Sequence, residues 1–111
     1  MDGLGGNDDM FGDSGYDEMH GSGGADFMNG ELGNDIMYGT AGNDIVIGAS
    51  GNDDLHDTNA SDDDYMCGLA GTSDEISVND GDPDDIIWDG GSGTHHTDAG
   101  DSIHLSETSC P

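Results

Sequence analysis

The chain contains neither lysine nor arginine. Nucleic-acid binding and attachment to anionic membranes both need basic side chains to neutralise phosphates, so both classes are excluded. Hydrophobic residues make up 31% of the 111 and aromatics only 5%. No apolar run approaches the roughly 18 residues of a membrane-spanning helix, so no membrane insertion is expected. Met1 leads straight into Asp2-Gly3-Leu4-Gly5-Gly6, without the positive and apolar regions of a secretory signal peptide. So short a chain makes one domain at most, and its apolar content is too sparse to offset an ordering cost of roughly 1.5 kcal/mol per residue by burial alone.

Acid and glycine are what the chain has in excess: 26 Asp plus Glu, a formal net charge of −26, and 21 Gly. As a bare composition this fits an acidic, glycine-rich disordered segment. The order of the residues points elsewhere. From Gly3 the chain divides without a gap into nine-residue units: GLGGNDDMF, GDSGYDEMH, GSGGADFMN, GELGNDIMY, GTAGNDIVI and GASGNDDLH, followed by a degenerate DTNASDDDY from Asp57. In the first six, positions one and four are always Gly and position six is always Asp. Position eight is always apolar: Met10, Met19, Met28, Met37, Val46 and Leu55. Disorder requires no such register.

Apolar pulses of about three residues, such as Ile45-Val46-Ile47, are too short for helices and suit short strands. Between them, Gly at two fixed places with Asn and Asp nearby suits tight turns. Each unit therefore reads as a turn plus a strand, and identical units in series wind a parallel β-solenoid. Two units make a coil of 18 residues with one strand on each side. Alternation along a strand turns position eight inward and positions seven and nine outward. One inward column is then Met10, Met28 and Val46, and the facing one Met19, Met37 and Leu55, read as core filler rather than soft-metal ligands.

The same stacking sets Asp8 above Asp26, Asp17 above Asp35, and so on through Asp44 and Asp53. Rows of carboxylates about 5 Å apart repel, and with no basic residue available only a cation can satisfy them. Carboxylate and carbonyl oxygens favour Ca²⁺ over softer metals, and over Mg²⁺ with its stricter, wetter octahedron.

The units resemble the G-G-x-G-x-D-x-U-x nonapeptide of the repeats-in-toxin (RTX), hemolysin-type family of calcium-binding repeats, with GTAGNDIVI and GELGNDIMY nearest to that pattern. The resemblance implies an all-β parallel β-roll. It also implies calcium held between turns two units apart by the position-six aspartates and by carbonyls of the glycine turns. Carried onto this chain, the ligands are Asp8, Asp17, Asp26, Asp35, Asp44 and Asp53 with Gly6, Gly15, Gly24, Gly33, Gly42 and Gly51. Asp44 with Asp62 forms a weaker fifth pair, because Asp57 and Ala60 replace its glycines. About four to six Ca²⁺ ions are expected. Position two departs from the pattern, carrying Leu4, Asp13, Ser22, Glu31, Thr40 and Ala49 in place of Gly.

Residues 3–65 are read as the regular array and residues 66–111 as degenerate repeats that cap it. Apolar pulses persist at Ile76-Ser77-Val78, Ile86-Ile87-Trp88 and Ile103-His104-Leu105. In one irregular unit Pro83 takes the place of the position-four Gly; in the next, the glycine turn from Gly90 runs into His95 where Asp would stand. His95, His96, Asp98, Asp101 and His104 are the residue types of a zinc or catalytic cluster, but no H-E-x-x-H or similar spacing supports one, and solvent-facing turn histidines are the simpler reading. His20 and His56 fall at outward position nine. Cys67 and Cys110 have no C-x-x-C partner; one disulfide between them, requiring an oxidising compartment, is set against two separate thiols.

No G-x-S-x-G elbow occurs and a rod of repeats offers no cleft, so no catalytic residue is assigned. The expected function is a non-enzymatic calcium-binding module that folds on binding metal, with a structural role in a secreted, extracellular, bacterial-type exoprotein. The resemblance leaves room for a larger parent protein and for type I secretion machinery as partners. Two alternatives stand beside it. One is a fragment of a secreted protease or lipase whose catalytic part lies outside this chain. The other is an ice-binding or adhesin-type solenoid, which Asn7, Asn34, Asn43 and Asn52 at position five would suit better if position three carried Thr.

Overall fold

A computed structural model describes residues 1–71, 73–78, 81, 83–88, 93–97 and 100–105. Among these residues the chain is all β, and none of them forms a helix able to cross a membrane. Eleven strands alternate between two sheets: β1 (Asp9–Phe11), β2 (Glu18–Gly23), β3 (Phe27–Asn29), β4 (Ile36–Ala41), β5 (Ile45–Ser50), β6 (Asp54–Asp57), β7 (Tyr65–Ala70), β8 (Glu75–Val78), β9 (Asp85–Trp88), β10 (Thr94–Thr97) and β11 (Ser102–Leu105). Odd-numbered strands form one sheet in chain order and even-numbered strands the other, and every pair is parallel. This is the expected β-solenoid, of about five turns.

Register follows the inward column. Met10 pairs with Met28, Met28 with Val46, Val46 with Met66, and Met66 with Ile86. On the other side Met19 pairs with Met37, Met37 with Leu55, and Leu55 with Ile76. These side chains make one continuous buried core between the sheets. Flexible methionines fill such a narrow, repetitive space because their unbranched side chains adapt to it.

Three expectations change. Ile47, at position nine, is buried together with Cys67 and Ile87, and these three pack with Phe27, Ile45, Ala49, Tyr65 and Leu69 in a second apolar cluster. The outer face of the six-stranded sheet is therefore apolar over β5, β7 and β9. The unit around Pro83 sits one residue from its expected place: Ile86, not Ile87, pairs with Met66, so Asp84 takes position six. A one-residue slip exchanges the two faces of a strand, and the core selects the fully buried Ile86. His95 pairs with Ile76 in the apolar column instead of standing at the Asp position.

Position two explains how the array manages without its second glycine. Leu4, Asp13, Ser22, Glu31, Thr40 and Ala49 all have φ between 68° and 77°. The turn keeps the left-handed conformation that glycine would adopt freely, and each L-residue there carries roughly 1–2 kcal/mol of steric cost. Position four is stricter. A Cβ on Gly33 would lie 1.6 Å from the Gly15 carbonyl oxygen, whereas one on Gly15, in the first coil, meets nothing within 4 Å.

Gly33→Ala should therefore cost more than about 3 kcal/mol in the calcium-loaded protein, and Gly15→Ala only the local strain of about 1–3 kcal/mol. Ala49→Gly should stabilise by up to about 1 kcal/mol, because relief of the left-handed strain exceeds the added chain entropy. Chemical denaturation of the three variants at saturating calcium checks the order.

Candidate metal centre

Each glycine turn delivers its position-six aspartate to the threshold of a strand. There the side chain folds back beneath the turn. Its Oδ1 accepts the backbone N–H of the aspartate one coil earlier: Asp8 N to Asp26 at 2.9 Å, Asp26 N to Asp44 at 2.8 Å, Asp17 N to Asp35 at 2.9 Å and Asp35 N to Asp53 at 2.9 Å. Its Oδ2 lies against the position-one glycine of the same unit. A Cβ on Gly30 would come within 2.4 Å of Asp35 Oδ2, and one on Gly48 within 2.6 Å of Asp53 Oδ2. Position one is thus glycine because a carboxylate occupies the space of its side chain.

Both columns continue past the regular array. One runs Asp44, Asp64, Asp84, Asp101: Asp44 N donates to Asp64 at 2.6 Å, Asp64 N to Asp84 at 2.8 Å and Asp84 N to Asp101 at 3.3 Å. In the other, Asp53 N donates to Asp74 Oδ1 at 3.0 Å. Asp64, not Asp62, therefore follows Asp44, because this coil is two residues longer than 18 and the Asp44/Asp62 pairing falls out of register. Asp62 remains nearby, accepting from Gly42 N and from Asn59 Nδ2. Asp64, Asp74, Asp84 and Asp101 lie outside the calcium ligands expected from the repeat pattern, Asp101 being named there only with the histidines. The signal that marks them is an Asp two residues before an apolar residue that pairs in the core column: Met66, Ile76, Ile86 and Ile103.

The electrostatics are one-sided. Asp26, Asp35, Asp44, Asp53, Asp62, Asp64, Asp74 and Asp84 are buried, and the chain supplies no Lys or Arg to meet them. The Oδ2 atoms of Asp8, Asp26, Asp35, Asp44, Asp53 and Asp64 are shut off from solvent, and no donor reaches them. Desolvation raises the carboxyl of Asp35, that of Asp44 to about 7 and that of Asp53 to about 6; the amide bonds to their Oδ1 atoms only partly oppose it, and neighbouring carboxylates add to it. Burial likewise raises Asp64; the Asp44 amide partly opposes it, and the carboxylates of Asp57 and Asp44 add to it. A buried oxygen with no partner costs about 1–3 kcal/mol, more when charged. Orphaned hard-oxygen donors beside turn carbonyls fit a calcium ion in charge and in chemistry.

The Gly6 carbonyl oxygen is 2.0 Å from the Cβ site of Gly24, and that of Gly33 is 1.5 Å from the Cβ site of Gly51, so the position-four residues stack in columns parallel to the aspartates. Among the described side chains, which do not include that of His104, no histidine joins a metal-ligand cluster. His95 and His96 are exposed on β10, and His96 Nδ1 lies 3.8 Å from Glu75 Oε1. Asp98 lies outside the described residues. His20 and His56 stack on either side of Tyr38, at centroid distances of 4.7 and 5.0 Å, in a ladder on the outer face of the five-stranded sheet. Cys67 is buried in the second apolar cluster, and its expected partner Cys110 lies outside the described residues.

A family model for the RTX calcium-binding nonapeptide repeat, four copies long, matches residues 2–37 and again residues 20–55. No curated protein and no solved structure matches the chain.

Without metal, folding requires these aspartates to bind protons more tightly than in the unfolded chain, where their pKa is about 3.9. Their contribution to stability is therefore fully present below that value and is lost as pH rises through about 6 for Asp53 and about 7 for Asp44. Circular dichroism in EDTA should show more β-structure near pH 4 than near pH 8, and calcium affinity should show the opposite trend as protons compete for the same oxygens.

Proposed function

Residues 2–55 belong to the RTX family of calcium-binding nonapeptide repeats, and from that membership we propose that the chain is a structural calcium module whose folding is coupled to metal binding and completed outside the cell. The observation that carries this reading is the column of buried Oδ2 atoms with no donor. Asp8 with Asp26, Asp17 with Asp35, Asp26 with Asp44, and Asp35 with Asp53 would hold the ions, aided by carbonyls of the glycine turns at Gly6, Gly15, Gly24, Gly33, Gly42 and Gly51. These pairs account for four ions, within the expected range of four to six. When bound, calcium supplies the positive charge that the chain lacks.

The residues themselves do the positioning. From Asp26 onward each Oδ1 is held by an amide of the preceding coil, which leaves Oδ2 free to ligate metal. Each position-one glycine makes room for that oxygen. Burial excludes the water that would otherwise solvate it. Low calcium leaves the carboxylates repelling one another and the strands apart; millimolar calcium, as found outside cells, closes the coils. That dependence suits a passenger exported unfolded by a type I pathway and folded after release, as part of a larger exoprotein. The role is structural rather than catalytic, in keeping with the family's repeats.

Titration with CaCl₂ should convert the far-ultraviolet spectrum of the metal-free chain at neutral pH from coil to β in a cooperative step, and EDTA should reverse it. Asp35→Asn, which keeps an acceptor for Asp17 N while removing a charge shared by two pairs, should move the midpoint to higher calcium by about tenfold or more. A spectrum that is already β in EDTA at neutral pH, or still coil at millimolar calcium, would refute the coupling.

A further inference from the structure

Between the end of β6 and the start of β7 the glycine turn is replaced by Asp57-Thr58-Asn59-Ala60-Ser61-Asp62-Asp63-Asp64, which contains no glycine. In regular coils the position-four amide donates to a backbone carbonyl of the next coil, as Gly24 N does to Ala41 O and Gly33 N to Ser50 O, both at 2.8 Å. At Gly42 a carboxylate takes the place of that carbonyl, and the amides on either side of it also meet carboxylates. Thr40 N donates to Asp57 Oδ1 at 3.1 Å, Gly42 N to Asp62 Oδ2, and Asp44 N to Asp64 Oδ1 at 2.6 Å. Three alternate amides of one turn thus hold one oxygen each of three carboxylates.

The arrangement is convergent. One carboxylate oxygen from each of Asp57, Asp62 and Asp64 lies within 4.8 Å of the other two. The three residues are 1%, 9% and 3% exposed. Asp62 Oδ1 and Asp64 Oδ2 are buried oxygens that no donor reaches. Asp57 stands where the regular units have their position-one glycine, so the interruption adds a carboxylate at the place where the array elsewhere makes room for one.

We propose that Asp57, Asp62 and Asp64 form a calcium site distinct in kind from those of the glycine turns, created by the interruption, and that it is the first in the chain to fill. The inference rests on the reading of the array as calcium-binding. Three carboxylates attract a divalent ion more strongly than the two of a glycine-turn pair, and amides already hold one oxygen of each in place. Calcium affinity rises with both ligand charge and site rigidity. The site bridges the two longer-than-regular connections of its column, so filling it locks β7 onto β5 in the shifted register and joins the regular coils to the irregular ones.

Calorimetric titration of the full chain with CaCl₂ tests this through Asp62→Asn, because Asp62 alone of the three stands outside both the aspartate columns and the position-one column. Asn retains an acceptor for Gly42 N. The expected result is loss of one bound ion and weakening of the tightest step by at least about tenfold, while the remaining steps still fold the array. Asp63→Asn, an exposed neighbour with the same change of charge, should leave the tightest step unmoved. An unchanged ion count and an unchanged first step in Asp62→Asn would overturn the proposal while leaving the calcium module intact; a wild-type chain that binds no calcium would overturn both. Should Asp62→Asn fail to fold, hydrogen exchange of the wild type at one equivalent of calcium decides: protection starting at residues 57–65 supports the site, and protection starting elsewhere overturns it.

Discussion

Everything in this molecule is arranged around carboxylates buried without a countercharge. A buried, unpaired charge is among the most costly features a protein can contain, and proteins normally avoid it by pairing or by neutralisation. Here it recurs in almost every coil, and no lysine or arginine exists to relieve it. The same backbone amide that orders each aspartate takes only one of its oxygens, so the better the ladder forms, the more sharply the remaining oxygens face one another. The strand stack and the acid columns are geometrically the same object, and one cannot be assembled without the other. An external divalent cation is the natural resolution, which makes the fold conditional on its surroundings.

The glycines follow from that constraint. Position one is glycine because a carboxylate oxygen fills the space where a Cβ would project, and from the second coil on position four is glycine because the carbonyl of the coil below comes within 1.5–2.0 Å of any added Cβ. Position two faces neither contact. It needs only a left-handed backbone, which Leu4, Ser22, Thr40 and Ala49 adopt at a steric cost. The chain thus retains glycine where space forbids a side chain and surrenders it where only torsional preference is at stake. Strain at position two is another load that core and ions must carry together.

Irregularity begins where the turn at 57–64 offers the Gly42 amide a carboxylate in place of a backbone carbonyl. From there the coil length varies: the connections from Asp44 to Asp64 and from Asp64 to Asp84 span 20 residues, that from Asp53 to Asp74 spans 21, and that from Asp84 to Asp101 spans 17. The sheets nevertheless run on without changing partners. Pairing tolerates longer turns because loop-closure entropy grows only slowly with length, whereas moving an inward residue outward would forfeit its burial. The second apolar cluster, with Ile47, Cys67 and Ile87, arises in this same region, on a sheet face that strict alternation would have left to solvent.

By itself the sequence determined the period, the turn-plus-strand unit, the inward column from Met10 to Leu55 and the acid columns from Asp8 to Asp53. Each of these is a local pattern repeated at a constant interval, and constant intervals convert directly into stacking. Tertiary structure alone decided the rest, where the interval varies. It placed Asp64 rather than Asp62 after Asp44, Ile86 rather than Ile87 in the core, and His95 in the apolar column. It also extended the ladder to Asp74, Asp84 and Asp101 and drew Asp57, Asp62 and Asp64 together. When spacing is no longer fixed, register is chosen by which side chains the core will accept and which amides need an acceptor, and both are properties of neighbouring coils rather than of the local chain.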